Sequence, residues 1–256
     1  MSGGVTLRDL SVAYSGGPEV VRAVNADCPR GEVTAVVGPN GAGKSSLLKA
    51  IIGLLPSQGE IRIDGRRLSD LSARARARAV AYVPQRSRLD ARLRVREVVD
   101  QGRFPHRAPL VSPSPTDRVV TEHALREVDA LHLADRPFPD VSGGEQQKVL
   151  IARALATEAR ILLFDEPTAA LDARHVLILH RLFRRLAGRG FCVVVVAHSL
   201  DEVHRHADRA LLLHRGHVLH AGAAREVVSA GPIKEVYGVD LREAAGLRCF
   251  LPGGTT

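Results

Sequence analysis

Residues 38–46 read GPNGAGKSS, and the run ahead of them, EVTAVVG (Glu32–Gly38), is almost wholly apolar and ends in glycine. A continuous apolar run of this length belongs in a parallel strand buried on both faces. The glycines that follow let backbone N–H groups curl around an anion. The helix expected from about Gly43 to Gly53 aims its positive end at the same place. Strand, G-x-x-x-x-G-K-[ST] and helix together make a phosphate-binding loop. Gly38, Pro39, Asn40, Gly41, Ala42, Gly43, Lys44, Ser45 and Ser46 are therefore the expected nucleotide-binding residues. Lys44 can reach the β- and γ-phosphates of a nucleotide, and the Ser45 hydroxyl can ligate Mg²⁺.

A second stretch supplies the rest of that chemistry. RILLFDEP (Arg160–Pro167) runs from apolar residues into two carboxylates at a strand end, where a buried charge is costly unless it has partners. Asp165 is placed to hold the Mg²⁺ shell and Glu166 to polarise an attacking water. Two carboxylates after a strand are a weak motif alone. About 120 residues after a phosphate loop they become specific.

The remaining pattern surrounds these two pieces. VTLRDLSVAY and VVRAVNADC alternate in part and are expected as antiparallel strands; GEIRIDG (Gly59–Gly65) adds a strand with an Asp-Gly turn. ARARARAV has a period of two, but Ala and Arg favour helix, and Arg74 and Arg78 would share a helical face. A helix with a solvated arginine face is expected there, leading into the strand VAYV. From Gln85 to Ala159 apolar residues recur at helical spacing and no strand is convincing. Prolines 105, 109, 113, 115, 137 and 139 punctuate the stretch. Strands then resume at RILLFD and FCVVVVA with a helix around 173–187 between them, and RALLLHRGHVLHAG suggests a hairpin turning at Arg215-Gly216. The fold expected is α/β: residues 1–84 and 160–256 form the core with an N-terminal antiparallel β subdomain, and residues 85–159 form an inserted all-helical subdomain.

Composition narrows the function. The 256 residues are 45% hydrophobic and 25% charged, enough for one large domain with a subdomain. The longest apolar run, Phe191–Ala197, is far below the ~20 residues of a membrane helix, and no signal-peptide pattern opens the chain. A chain retained in the cytosol is expected. Cys28, Cys192 and Cys249 are widely separated and in no CxxC pair, which argues against disulfides and zinc. The net charge of +8 is spread along the chain, with no aromatic interleaving of the kind that binds single strands, so no nucleic-acid partner is expected.

VSGGEQQ (Val141–Gln147) heads the helix EQQKVLIARALA and by itself is only a good helix start. Together with the phosphate loop and RILLFDEP it resembles the signature loop of ATP-binding-cassette (ABC) ATPases. The resemblance runs from Tyr14 to about Gly222, with the motifs in the family's order. It implies a P-loop NTPase (RecA-like) core, ATP as substrate and Mg²⁺ as cofactor. By that resemblance Tyr14 stacks on adenine, Gln85 links the Mg²⁺ site to the helical subdomain, and Asp172 lies in a loop crossing to a partner subunit. His198 contacts the γ-phosphate beside Lys44 and Glu166. Ser142, Gly143, Gly144 and Glu145 form the signature loop, which covers the ATP of a second copy in a head-to-tail dimer. Val141 stands where the family usually has leucine, and Ala169 where the crossing loop often has serine.

Within the family, LRVREVVDQGRFPH resembles ATPases that serve iron–siderophore, haem and vitamin B12 import, in which a helix ends in a Gly-Arg-x-Pro-His-like knuckle. The tail VVSAGPIKEVYGVD is similar to the same group. The knuckle follows Gln85 by fewer than 20 residues, where the family's helical subdomain meets its permease. Arg103, Phe104, Pro105 and His106 are therefore the expected permease-docking residues, with Phe104 as an exposed apolar contact and the arginines facing acidic groups or lipid headgroups. The expected partners are membrane permease subunits and, indirectly, a substrate-binding protein, and the expected place is the cytoplasmic face of the membrane. Zinc or manganese import is the nearest alternative. Other detached transporter ATPases follow, then soluble ABC proteins, which carry two cassettes or long coiled coils.

Overall fold

The chain opens with two strands, β1 (Gly4–Ala13) and β2 (Glu19–Pro29), paired antiparallel from Gly4 opposite Pro29 to Ala13 opposite Glu19. Val5, Leu7, Leu10 and Val12 are buried, although Leu7 and Leu10 are an odd number of residues apart. A bulge at Arg8-Asp9, with Asp9 at φ 48°, returns Leu10 to the core face. The alternation in the sequence is partial for this reason. The computed structural model that shows this describes residues 3–85, 92–108, 111–169, 171–244 and 247–252, so Pro109 lies outside it.

Strand β3 (Val33–Val37) is buried along its whole length and passes through the phosphate loop into helix α1 (Lys44–Ile51). Strand β4 (Ser57–Ile63) returns beside β1. Asp64 and Gly65, at φ 50° and 79°, then turn it into the short β5 (Arg66–Arg67). The ARARARA stretch is helix α2 (Ala73–Ala79), started by Ser72, whose side chain accepts from Ala75 N, and β6 (Val80–Val83) follows without a break.

Between Gln85 and Ala159 the described residues hold no strand, only an isolated bridge between Arg94 and Pro137. Helices α3 (Val95–Asp100), α4 (Pro115–Glu127) and α5 (Gly143–Ala156) bury Val95, Val98, Val99, Leu125, Val149 and Leu150 against one another. Two of them begin on a reciprocal capping box, Ser114 with Asp117 and Ser142 with Glu145. The chain then runs through β7 (Ile161–Asp165), α6 (Ala173–Gly188), β8 (Cys192–Val196), α7 (Leu200–His206) and the hairpin of β9 (Arg209–His214) and β10 (His217–Ala223). Helices α8 (Ala224–Val227) and α9 (Ala230–Tyr237) lead to a final hairpin, β11 (Val239–Ala244) with β12 (Leu247–Pro252).

Six strands form one sheet in the order β10-β9-β3-β8-β7-β6, parallel from β9 to β6 with β10 antiparallel at the edge. Successive residues of β7 face opposite layers. Leu162 and Phe164 join α6 and the helical segment, while Ile161 and Leu163 join α1 and the antiparallel sheet β2-β1-β4-β5. A strand buried on both faces must be apolar at every position, which is why β3, β7 and β8 show no alternation. Their carboxyl ends lie together, and there the phosphate loop, Asp165-Glu166 and His198 leave the sheet.

Two expectations are corrected. The arginine face of α2 is not simply solvated: Arg74 donates to the carbonyls of Pro105 (2.7 Å) and Arg107 (2.6 Å), and Arg78 to that of Pro105 (2.8 Å). Nor does α3 break into an exposed knuckle, because Gln101–His106 continues it as a 3-10 turn in which Phe104, 63% exposed, is the one outstanding side chain.

Candidate active site

Three glycines of the phosphate loop hold positive φ, Gly38 at 149°, Gly41 at 78° and Gly43 at 103°. A Cβ on Gly38 would lie 2.1 Å from the Leu213 carbonyl oxygen, and one on Gly43 would lie 2.4 Å from that of Val20. Backbone angle and space therefore both demand glycine at these two positions. Ala42 is buried, and its N–H donates to the Pro39 carbonyl at 3.2 Å, which closes the loop around Asn40 and Gly41. Lys44 is 5% exposed and its Nζ donates to the carbonyls of Gly38 (2.8 Å) and Pro39 (3.0 Å). Burial lowers the Lys44 pKa, and the nearby Glu166 and Asp165 carboxylates act against that shift. The ammonium is thus held inside the loop by neutral acceptors that a phosphate oxygen can replace.

Ser45, the second residue of α1, donates from Oγ to Asp165 Oδ1 at 2.9 Å. Oxygens on adjacent corners of a magnesium octahedron lie ~3.0 Å apart, given metal–oxygen bonds of ~2.1 Å. This hard-oxygen pair therefore fits the ion that accompanies a nucleotide. Asp165, 4% exposed, receives a second bond from Tyr82 Oη to Oδ2 at 3.0 Å. Ser46 Oγ and Tyr14 Oη are 3.0 Å apart, which holds the half-exposed Tyr14 ring over the start of α1.

Glu166 leaves the sheet with φ 51°, a strained value for a residue with a Cβ, as its N–H bonds to the Val196 carbonyl at 3.2 Å. That turn presents the carboxylate to two neighbours. His198 Nε2 is 2.5 Å from Oε1, and Gln85 Nε2 donates to Oε2. Thus Gln85, Glu166 and His198, from three separate strand ends, meet at one carboxylate. A carboxylate placed beside a phosphate cradle can accept a proton from water, and the cradle can bind polyphosphate.

The remaining predicted residues sit elsewhere in the chain. Ser142 caps α5: its Oγ is 2.8 Å from Glu145 Oε2, and its backbone N–H also donates there at 2.8 Å. Those bonds hold the Glu145 carboxyl below its usual range. Gly143 has open space around it, and Gly144 faces Leu171. Asp172 caps α6 by accepting from His175 N at 2.9 Å. Among the described residues, no hydrogen bond joins Ser142–Glu145 or Asp172 to the phosphate loop.

The four predicted docking residues divide. Phe104 projects, with the Arg107 guanidinium 5.2 Å from its ring centroid. Arg103 does not project: it is 5% exposed and donates to Asp117 (2.9 Å), the Ala156 carbonyl (2.8 Å) and Glu158 (2.6 Å). His106 Nε2 lies 2.8 Å from the Thr157 carbonyl at the end of α5, and Pro105 offers its carbonyl to Arg74 and Arg78. Arg107 likewise pairs with Asp100 at 2.7 Å. The arginines flanking Phe104 therefore face inward, because the chain itself supplies their carboxylates. No group of three or more His, Cys, Asp or Glu side chains among the described residues could hold a metal, so His106 has no ligand cluster.

Sequence reasoning missed Tyr82 and the Arg74–Pro105 contact. For Tyr82 the signal was present, a hydroxyl three residues before Gln85 at a strand end. For α2 it was the shared face of Arg74 and Arg78, which named no acceptor.

Similarity to known proteins agrees with this geometry. Residues 21–169 match the ABC transporter family. The hemin import ATP-binding protein HmuV of Pseudomonas putida is 42% identical over 233 residues, 88% of this chain and 89% of the relative. A metal-chelate type ABC transporter solved in an inward-facing conformation superposes with a TM-score of 0.84 at 28% identity, covering 98% of both chains. A dimeric bacterial ABC transporter cassette gives 0.77 at 30% identity over 86% of this chain and 99% of the other. Matching the family model over residues 21–169 and 42% identical to an import ATP-binding protein over 88% of its length, this protein belongs to the ABC transporter family, as one of its ATP-hydrolysing subunits.

Proposed function

We propose that this chain energises the import of a metal chelate through a separate membrane permease, with haem, an iron–siderophore or cobalamin as the cargo class. The observation that carries this reading is the identity to a hemin import ATP-binding protein over nearly nine-tenths of both chains. The exposed Phe104 on the helical segment supports it, as the apolar contact that a permease loop would cover. Among the described residues no helix is long and apolar enough to cross a membrane, and this reading gives the path for cargo to a separate permease chain. Attachment to the cytoplasmic face through that chain follows, with a substrate-binding protein acting from the far side.

The residues then take these roles. Backbone N–H groups of Gly38–Gly43 and the Lys44 ammonium bind the phosphates, and Tyr14 packs on the adenine. Ser45 and Asp165, with Gln85 beside them, hold Mg²⁺, which when bound neutralises phosphate charge. Glu166 accepts a proton from the attacking water once His198 turns from its carboxylate toward the γ-phosphate. Ser142, Gly143, Gly144 and Glu145, which lack hydrogen bonds to this chain's own phosphate loop, serve the nucleotide of a second copy. Asp172 lies at the crossing between the two. A head-to-tail pair completes two sites, and its preference for ATP drives closure. Residues 85–159 act as a helical subdomain that passes this closure to the permease.

The test is affinity purification of the tagged chain from native membranes and identification of what accompanies it. A polytopic permease is expected. Recovery of ribosomes or DNA in its place overturns the transport reading.

A further inference from the structure

The hydroxyl of Tyr82 bonds to no residue assigned to nucleotide among the described residues, yet it holds one side of the most buried carboxylate in the site. Strand register fixes where it stands: β6 runs parallel to β7 with Tyr82 opposite Leu163 and Val83 opposite Phe164. The half-buried phenol extends toward the carboxyl end of β7 and donates to Asp165 Oδ2 at 3.0 Å, while Ser45 Oγ donates to Oδ1 at 2.9 Å. Each oxygen of Asp165 thus has its own neutral donor.

The two donors are not equivalent. If Ser45 Oγ and Asp165 Oδ1 both turn their lone pairs to a cation, the Ser45 proton must point away, and that bond to Asp165 is lost. The Tyr82 bond survives, because it is made to the other oxygen. We propose that Tyr82 is a positioning residue for the metal site: its hydroxyl fixes the plane of the Asp165 carboxylate, so that Oδ1 keeps its place beside Ser45 Oγ after their hydrogen bond gives way to the divalent cation that arrives with the nucleotide. This inference rests on the assignment of Ser45 and Asp165 to Mg²⁺. Chemistry favours a tyrosine here. Its ring has few rotamers and its backbone is paired with β7 from Val80 to Val83, so little freedom is lost in aiming the hydroxyl.

The experiment is calorimetric titration of the purified full chain with AMP-PNP, once with excess EDTA and once with excess Mn²⁺. The quantity read is the gain in nucleotide affinity that Mn²⁺ provides. For Tyr82→Phe, which keeps the ring, that gain is expected to fall about tenfold, the low end of what a hydrogen bond to a charged group is worth. Affinity in EDTA should stay within about twofold, since the hydroxyl removed bonds to Asp165 and not to the phosphate loop. Asp165→Asn should abolish the gain. If Asp165→Asn abolishes it and Tyr82→Phe leaves it intact, Tyr82 does not position the site. An equal loss in EDTA and Mn²⁺ for Tyr82→Phe means a general structural role and overturns the inference as well. If Asp165→Asn itself keeps the gain, the metal assignment falls first and the role of Tyr82 falls with it.

Discussion

Arg74 donates from Nε to the carbonyl oxygen of Pro105 at 2.7 Å, across 31 residues of chain. Arg78, one helical turn on, donates to the same oxygen at 2.8 Å. Two guanidinium groups on α2 therefore grip the backbone beneath Phe104, and Arg103 and His106 fasten that turn to the end of α5. The turn that carries the exposed ring is joined both to the antiparallel side of the core and to the helix that begins at Ser142.

That grip should be visible in backbone exchange. Replacing both arginines, Arg74→Gln with Arg78→Gln, removes three hydrogen bonds to carbonyls, each worth ~1 kcal/mol. Amide hydrogen exchange over residues 101–107 should quicken at least tenfold, while exchange in β3 and β7 stays unchanged. Unaltered exchange in that turn would show that the two side chains decorate it without holding it.

Glu166→Gln removes the proton acceptor and keeps the shape. Hydrolysis should fall by at least ~100-fold, the low end for a general base, while ATP is still bound and a dimer accumulates with ATP on gel filtration. Hydrolysis at the parent rate would transfer the role to another group.

Phe104→Ala should leave AMP-PNP affinity unchanged and weaken co-purification of the permease about tenfold, as expected for an aromatic anchor. Loss of nucleotide binding in this variant would point to a folding role for the ring.

Asp117 links stability to pH. Burial pushes its carboxyl up, but the Ser114 hydroxyl and backbone and the Arg103 guanidinium more than offset that and bring it to about 2, from 3.8. Because the folded pKa is the lower one, the pair's contribution is complete above about pH 4 and is lost as pH falls through 2. Asp117→Asn should cost ~3 kcal/mol in urea unfolding at pH 7, since it leaves the buried Arg103 short of a charge partner. The gap between parent and variant should narrow as pH drops from 4 toward 2. A gap that is constant with pH would rule out the carboxylate charge as its source.

Much of the site was legible before any coordinates. GPNGAGKSS, RILLFDEP and VSGGEQQ are local motifs, because backbone angle, helix capping and strand burial act on neighbours in the chain. Gly38 and Gly43 show why this works: the angles and clearances that demand glycine belong to the loop and the strands beside it. The helical stretch after Gln85, the hairpin at Arg215-Gly216 and the helix start at Ser142 rest on the same short-range physics.

The directions of long polar side chains were not legible. Arg103 and Phe104 are adjacent in GRFPHR, and both suggest a surface. Their fates diverge because Asp117 and Glu158, 14 and 55 residues away, arrive beside one and not the other. Tyr82 and Asp165 are 83 residues apart and meet only because β6 pairs with β7. The sequence by itself determined the phosphate loop, the layered α/β order and the family. Tertiary structure decided which arginines are exposed, which carboxylate each one meets and what holds Asp165 in place. A guanidinium or a phenol can satisfy its hydrogen bonds with any acceptor within reach, and only the folded chain fixes which acceptor that is.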